Sequence, residues 1–271
     1  MIISLATTPN RINNFVYSIP NFYKELPSSC SLVLINVCQT YKRFNQKIKL
    51  NKQSLLILKK YSKFIINWVY DYGPISKYSG AIEYMKAKKI NENLFIIDDD
   101  ITYPKAYIEH IAISAPRNFI CSGSGFKIFN GSYNPTPYEP DYFEGFSGIH
   151  FPYQNINNIV YLFSKYYKCL NPKENNNLIN KYLLSCFMGD DFVLSKLYKK
   201  KFCMNHKLKD LAIRQYGLGA DALQNNNLHG SNMGTYNYLE ENEIIFWTFI
   251  KKIKVNASIN KRIFHSRSLS F

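Results

Sequence analysis

Three consecutive carboxylates, Asp98-Asp99-Asp100, follow the apolar run Leu94-Phe95-Ile96-Ile97 and precede Ile101-Thr102-Tyr103-Pro104. Like charges crowded at the exposed end of a buried strand repel one another. A divalent cation removes that cost, and carboxylate oxygens are the ligands that hard Mg2+ or Mn2+ prefers. A cation so held neutralises a diphosphate leaving group. Asp98 and Asp100 are therefore the candidate metal ligands, with Asp98 and Asp99 facing the nucleotide that carries such a diphosphate.

Lys77 is the candidate for phosphate. It lies in Asp71-Tyr72-Gly73-Pro74-Ile75-Ser76-Lys77-Tyr78, after a Gly-Pro turn and at a predicted helix start, where free N–H groups and the helix dipole favour anions. Asp71 either holds a base or ribose or caps this turn. Asp190 and Asp191 open another predicted helix, so one is expected to cap its orphan N–H groups and the other to be free as a general base for an acceptor hydroxyl. Glu144 and His150 flank Gly145-Phe146-Ser147-Gly148 and are candidates for touching an acceptor sugar.

The elements that must hold these residues alternate in type. Strands are predicted at Ile2 to Ala6, Ser31 to Val37, Phe64 to Val69 and Leu94 to Ile97, with helices near Arg11 to Tyr23, Phe44 to Tyr61 and Ser79 to Lys89. Such alternation predicts βαβ units, a mostly parallel sheet flanked by helices, and ligands beyond the carboxyl ends of the strands. Thr7-Thr8-Pro9, Asp71-Tyr72-Gly73-Pro74 and the triple aspartate each follow a predicted strand, so all three can meet in one crevice. From Pro104 the pattern becomes a helix to Ala115, short strands within Phe119 to Phe129, a Pro-, Tyr- and Gly-rich loop from Asn130 to Glu144, and helices near Ile156 to Tyr167, Asn177 to Ser185 and Phe192 to Lys200. The loop is a plausible acceptor surface. One α/β domain is expected, with residues 1–115 as its nucleotide-sugar half and 116–271 as its acceptor-binding and catalytic half.

Ser4-Leu5-Ala6-Thr7-Thr8-Pro9-Asn10-Arg11-Ile12, the Asp71 to Tyr78 turn and Asp98-Asp99-Asp100 with Tyr103-Pro104 stand in the order seen in a family of bacterial and large-DNA-virus glycosyltransferases of the GT-A class. Gly145-Phe146-Ser147-Gly148-Ile149-His150-Phe151-Pro152 and Asp190-Asp191-Phe192-Val193-Leu194-Ser195 resemble two later segments of that family. The likeness covers roughly residues 2–200, with Ala6 where a Thr is usual and no Trp after Asp191. It implies a metal-dependent transfer of a sugar from a nucleoside-diphosphate sugar, using Mn2+ or Mg2+, to a hydroxyl of a glycan or glycoconjugate, with inversion. By the same resemblance Thr7, Pro9 and Arg11 line the nucleotide pocket, Asp191 is the base, and His229 is a third metal ligand.

The net charge of +15 favours anionic partners. Clustered aspartates on a basic chain also suit a nuclease or nucleotidyltransferase, and the charge alone suits a non-catalytic binder of an anionic surface. No second acidic motif with the spacing of a nuclease or polymerase is seen, so no nucleic acid is expected, whereas peripheral contact with a membrane through basic surface is. Six scattered cysteines without a CxxC pair read as free thiols. The apolar runs fall short of the roughly 20 residues that span a bilayer, and the first residues lack the pattern of a leader, which together predict a cytoplasmic protein.

Overall fold

The first strands are apolar on both faces, and helices cover both. The computed structural model describes residues 1–41, 46–114, 116–129, 132–136, 138–170, 177–204, 214–215 and 232–267. In chain order the elements are β1 (Ile2–Ala6), α1 (Ile12–Lys24), β2 (Leu32–Cys38), α2 (Lys52–Lys60), β3 (Phe64–Val69), α3 (Ser76–Lys88), β4 (Leu94–Ile96), β5 (Ile101–Thr102), α4 (Lys105–Ser114), β6 (Ile120–Ser122), β7 (Gly125–Phe129), β8 (Ser132–Pro135), β9 (Tyr142–Phe143), β10 (Ile149–Phe151), α5 (Asn158–Ser164), α6 (Leu178–Met188), α7 (Asp190–Leu197), β11 (Lys201–Cys203), β12 (Arg214–Gln215), α8 (Asn232–Glu241) and α9 (Glu243–Arg267).

Seven strands form one sheet in the order β11-β6-β10-β4-β1-β2-β3. β1 pairs in parallel with β2 and β4, β2 with β3, and β6 with β11, while β10 runs antiparallel to both β4 and β6. This is the α/β, mostly parallel, helix-flanked architecture expected from the alternation of elements. Strands from both halves of the chain share the sheet. β5 pairs antiparallel with β12, and β7 lies between β8 and β9 in a small antiparallel sheet.

Side chains alternate across a strand, so neighbours enter opposite cores. Ile2, Leu34, Leu94 and Ile96 pack with α3, α5, α6, α7 and α9 residues such as Ile82, Phe163, Phe187, Phe192 and Phe246. Ile3, Leu5, Val33, Ile35 and Phe95 pack with Ile12, Val16 and Ile19 of α1 and Tyr107, Ile108 and Ile111 of α4. Among the described residues no helix is long and apolar enough to cross a membrane. Cys30, Cys38, Cys121, Cys186 and Cys203 are free thiols.

Two elements differ from expectation. The helix predicted over Phe44 to Tyr61 is confined to α2, because Asn51 accepts a hydrogen bond from Ser54 N and caps it there; residues 42–45 lie outside the described residues. The expected Asn130 to Glu144 loop contributes β8 and β9, which pair with β7 and spend their backbone groups in a ladder.

Candidate functional site

At the carboxyl ends of β1 and β4, and at the start of α3 and α7, two ion-pair clusters lie side by side. In the first, Arg11 holds two members of the triple aspartate: one guanidinium nitrogen pairs with Asp99 Oδ1, the other with Asp100 Oδ2 at 2.9 Å. The side chain of Asp99 is 1% exposed. Burial pushes its pKa up to about 7 against the lowering pull of Arg11. Asp100 is raised by burial too, again opposed by Arg11. Thr7 is buried with its hydroxyl beside Asp99, and its carbonyl accepts from Tyr41 Oη at 2.6 Å. Pro9, in the same turn, is partly exposed.

In the second cluster Lys77 Nζ meets Asp98 Oδ1 at 2.7 Å and Asp190 Oδ2 at 3.0 Å. Burial alone would lower the pKa of Lys77, but Asp190, Asp98 and Asp191 outweigh it and hold the ammonium well above its ordinary value. Asp191 Oδ2 accepts from Gly145 N at 2.9 Å, whereas its Oδ1 is buried without a hydrogen-bond partner among the described residues. Burial raises Asp190 against the pull of Lys77, and burial together with the charge of Asp190 raises Asp191 well above the carboxylate range. One cation thus faces three carboxylates, and the Asp190–Asp191 pair is where a proton is readily held.

Several expectations change. Neither Asp190 nor Asp191 caps α7: Gly189 is the N-cap and no side chain closes that end. Both acids are drawn instead to Lys77 and Gly145. Lys77, expected to meet phosphate, is 4% exposed and paired with Asp98 and Asp190. Arg11 faces carboxylates rather than a pocket for base or phosphate. Of the two roles weighed for Asp71, the structure places its Oδ1 on Gly73 N at 3.0 Å, as a cap of the turn. His150 is 3% exposed inside β10, beside the ring of Phe95, which no acceptor sugar reaches. Both its ring nitrogens are buried without hydrogen bonds among the described residues, and burial pushes its pKa down to about 4. Glu144 is partly exposed at the turn expected, where its carbonyl accepts from Ser147 N at 3.0 Å. His229 lies outside the described residues.

Of the donor set expected for Mn2+ or Mg2+, His229 lies outside the described residues and both carboxylates are paired with cations. Asp98 is taken by Lys77, Asp100 by Arg11, and among the described residues no three His, Cys, Asp or Glu side chains converge to hold an ion.

The residues that fix this arrangement are ones the motif reading passes over. Ser4 Oγ donates to Lys77 O at 2.6 Å, Asn36 Nδ2 donates to Ser4 Oγ and Leu5 O at 2.8 Å, and Asn67 Nδ2 donates to Asn36 Oδ1 at 2.8 Å and Gly80 O at 3.1 Å. This chain of polar groups crosses β1, β2 and β3 and ties down the first turns of α3. A Cβ on Gly80 would stand 2.3 Å from Asn36 Oδ1, so the helix approaches this closely only with glycine there. Tyr103 Oη accepts from Asp98 N at 3.1 Å and donates to Phe146 O at 2.6 Å, and Tyr107 Oη donates to Ser147 O at 2.6 Å. These tyrosines pin the 145–148 turn, and with it Gly145 N, against the carboxylates. A Cβ on Gly145 would stand 2.3 Å from Asp191 Oδ1. Ser4 and Asn36 do leave a signal in the sequence: they are polar residues inside strands that are otherwise apolar.

No protein-family model matches the chain, and no curated protein matches it in sequence. Among solved structures it is similar to the bifunctional glycosyltransferase WbbM, at 8% identity and TM-score 0.39, over 75% of this chain and 38% of that one. It is also similar to the galactosyltransferase LgtC in complex with donor and acceptor sugar analogues, at 10% identity and TM-score 0.41, over 76% of this chain and 73% of that one. A third likeness is to 4-diphosphocytidyl-2C-methyl-D-erythritol synthase, at 5% identity and TM-score 0.42, over 81% and 95%. The chain thus spans well under half the length of WbbM. Likeness at this level assigns neither family nor activity.

Proposed function

We propose that the chain transfers a sugar from a nucleoside-diphosphate sugar to a hydroxyl of a glycan or glycoconjugate, with inversion at the anomeric carbon. The observation that carries this reading is the meeting of Lys77 with Asp98, Asp190 and Asp191 beyond the carboxyl ends of parallel strands. A diphosphate entering there finds Lys77 as its cation, through charge-assisted hydrogen bonds. Asp191, with one oxygen fixed by Gly145 N and the other without a partner, is the group suited to take the proton of the acceptor hydroxyl. A base must be ionised, and Asp191 is raised. The transfer rate is therefore expected to climb with pH through an apparent pKa above the ordinary carboxylate range.

The competing chemistry is nucleotidyl transfer, in which an already ionised phosphate attacks and needs no base. Asp191, raised and with one oxygen fixed by Gly145 N, has a proton to take only from a hydroxyl acceptor, which favours sugar transfer. A divalent cation is a separate proposal. To be held by Asp98 and Asp100 it has to take them from Lys77 and Arg11.

The test is a product assay with a panel of UDP-, GDP- and TDP-sugars on wild type and Asp191→Asn. Wild type is expected to release nucleoside diphosphate, and the variant to keep donor affinity while losing transfer by on the order of 10² to 10⁴-fold. Pyrophosphate release from nucleoside triphosphate and sugar phosphate would replace this reading with nucleotidyl transfer. An unchanged rate in Asp191→Asn would remove the base.

A further inference from the structure

α9 packs on the core through Phe246, Ile250 and Ile253, with Phe246 meeting Phe163 at 5.0 Å and Phe192 at 6.0 Å between ring centroids. A helix turns by about 100° per residue, so Ile244, Trp247, Lys251 and Val255 fall on the opposite side. Ile244 is 79% exposed, Trp247 41% and Val255 48%. Lys251, Lys252 and Lys254 are exposed on and beside this stripe, and among the described residues none of them has an ion-pair partner. Of the nearby acids, Glu240 and Glu243 pair with Lys196, at 2.8 and 3.2 Å, Glu243 also accepts from Trp247 Nε1 at 2.8 Å, and Glu241 is exposed. Packing on the core leaves Ile244, Val255 and much of the Trp247 ring, whose N–H donates to Glu243, facing solvent.

We infer that this face of α9 docks the protein on a bilayer surface carrying anionic lipid headgroups. Apolar side chains in the middle of a helix face, a Trp among them and lysines around them, are the arrangement that lies in a membrane interface, with the lysines on lipid phosphates and the apolar groups among the acyl chains. The net charge of +15 supplies the complementary long-range attraction. A docked α9 has its other face on Phe192, next to Asp191, so the proposed catalytic helix stands one helix layer from the bilayer.

Vesicle flotation of the full chain tests this, using vesicles of equal parts phosphatidylcholine and phosphatidylglycerol against phosphatidylcholine alone. A Trp68→Phe background leaves Trp247 as the only tryptophan. Binding to the anionic vesicles alone is expected, with a blue shift of Trp247 emission and weakening at high salt. Each of Lys251→Gln, Lys252→Gln and Lys254→Gln should weaken binding about fivefold, and Ile244→Ser with Trp247→Ser should abolish it while the chain stays folded and solution activity stays as in the parent. Equal flotation with neutral vesicles, an unshifted Trp247, or undiminished flotation of the serine variant would overturn the inference. So would light scattering that shows this face covered in a dimer which the serine variant dissociates.

Discussion

The two clusters built on Asp98-Asp99-Asp100 differ in their balance of charge. Around Arg11 one cation meets two carboxylates, both close to it, and the more buried of them is 1% exposed. Around Lys77 one cation meets three, and in each cluster a buried carboxylate oxygen, Asp99 Oδ2 in the first and Asp191 Oδ1 in the second, has no hydrogen-bond partner among the described residues. The first is a latch that closes the β1 turn against the end of β4. The second leaves more carboxylates than its one cation can balance, and the proton of an acceptor hydroxyl is what such a group can take. Three adjacent aspartates therefore do unlike work, decided by whether arginine or lysine faces each and how many acids share it.

The comparison breaks most visibly at Lys77. Lys77→Ala leaves Asp98, Asp190 and Asp191 without their cation, and removing one partner of a buried ion pair costs about 3–5 kcal/mol. Chemical denaturation at neutral pH should show a loss of that order, reduced at low pH as the acids take up protons. Diphosphate binding should fall further than binding of the free nucleoside. A loss well under 1 kcal/mol would mean that the acids are compensated by water, and the contrast with the Arg11 cluster would vanish.

Arg11→Ala should cost less, about 1–3 kcal/mol, because Asp99, already raised to about 7, takes a proton in place of its partner. The same variant asks whether the latch guards a cation site. With Arg11 gone, Asp100 is released beside Asp98, and titration calorimetry with Mn2+ should show tighter binding than in wild type, by on the order of tenfold, since about 1.4 kcal/mol of competing ion pair is lost. Unchanged or weaker Mn2+ binding would show that these acids do not hold a metal.

Much of this was legible in the chain, for identifiable reasons. Strand runs such as Ile2 to Ala6 and Phe64 to Val69 have one period and sharp ends, so they were read within a residue. The acids and Lys77 were found because charged residues at strand ends stand out against apolar neighbours. Which cation faces which acid was not legible, since Arg11 and Asp99 are 88 positions apart and pair only when β1 and β4 lie side by side. The capping role expected of Asp190 failed for the same reason: a helix start offers local N–H groups, but Lys77 offers a full charge through the fold. His150 was misread because its turn, Gly145 to Gly148, does border the site, while the next two residues enter the sheet as β10.

The smallest effect separates buried titratable groups that belong to the site from one that does not. His150 has a pKa of about 4 against about 6.5 when unfolded, so the unfolded chain takes up its proton first and stability drops as pH falls from about 6.5 to 4. Asp99 has the opposite sign: its folded pKa of about 7 lies above its unfolded value, so it lowers stability as pH rises from about 4 to 7. In wild type the two trends oppose each other over the same window. His150→Leu removes one of them and also removes two buried nitrogens that have no hydrogen bond, so it should stabilise by about 1 kcal/mol at pH 7 and by more at pH 5. Melting curves at the two pH values check the sign, and Asp99→Asn should flatten the other trend. Sugar transfer by His150→Leu should be unchanged, because the ring faces Phe95 in the core. A variant that melts lower at both pH values, or that transfers sugar more slowly, would put His150 back in the working part of the molecule.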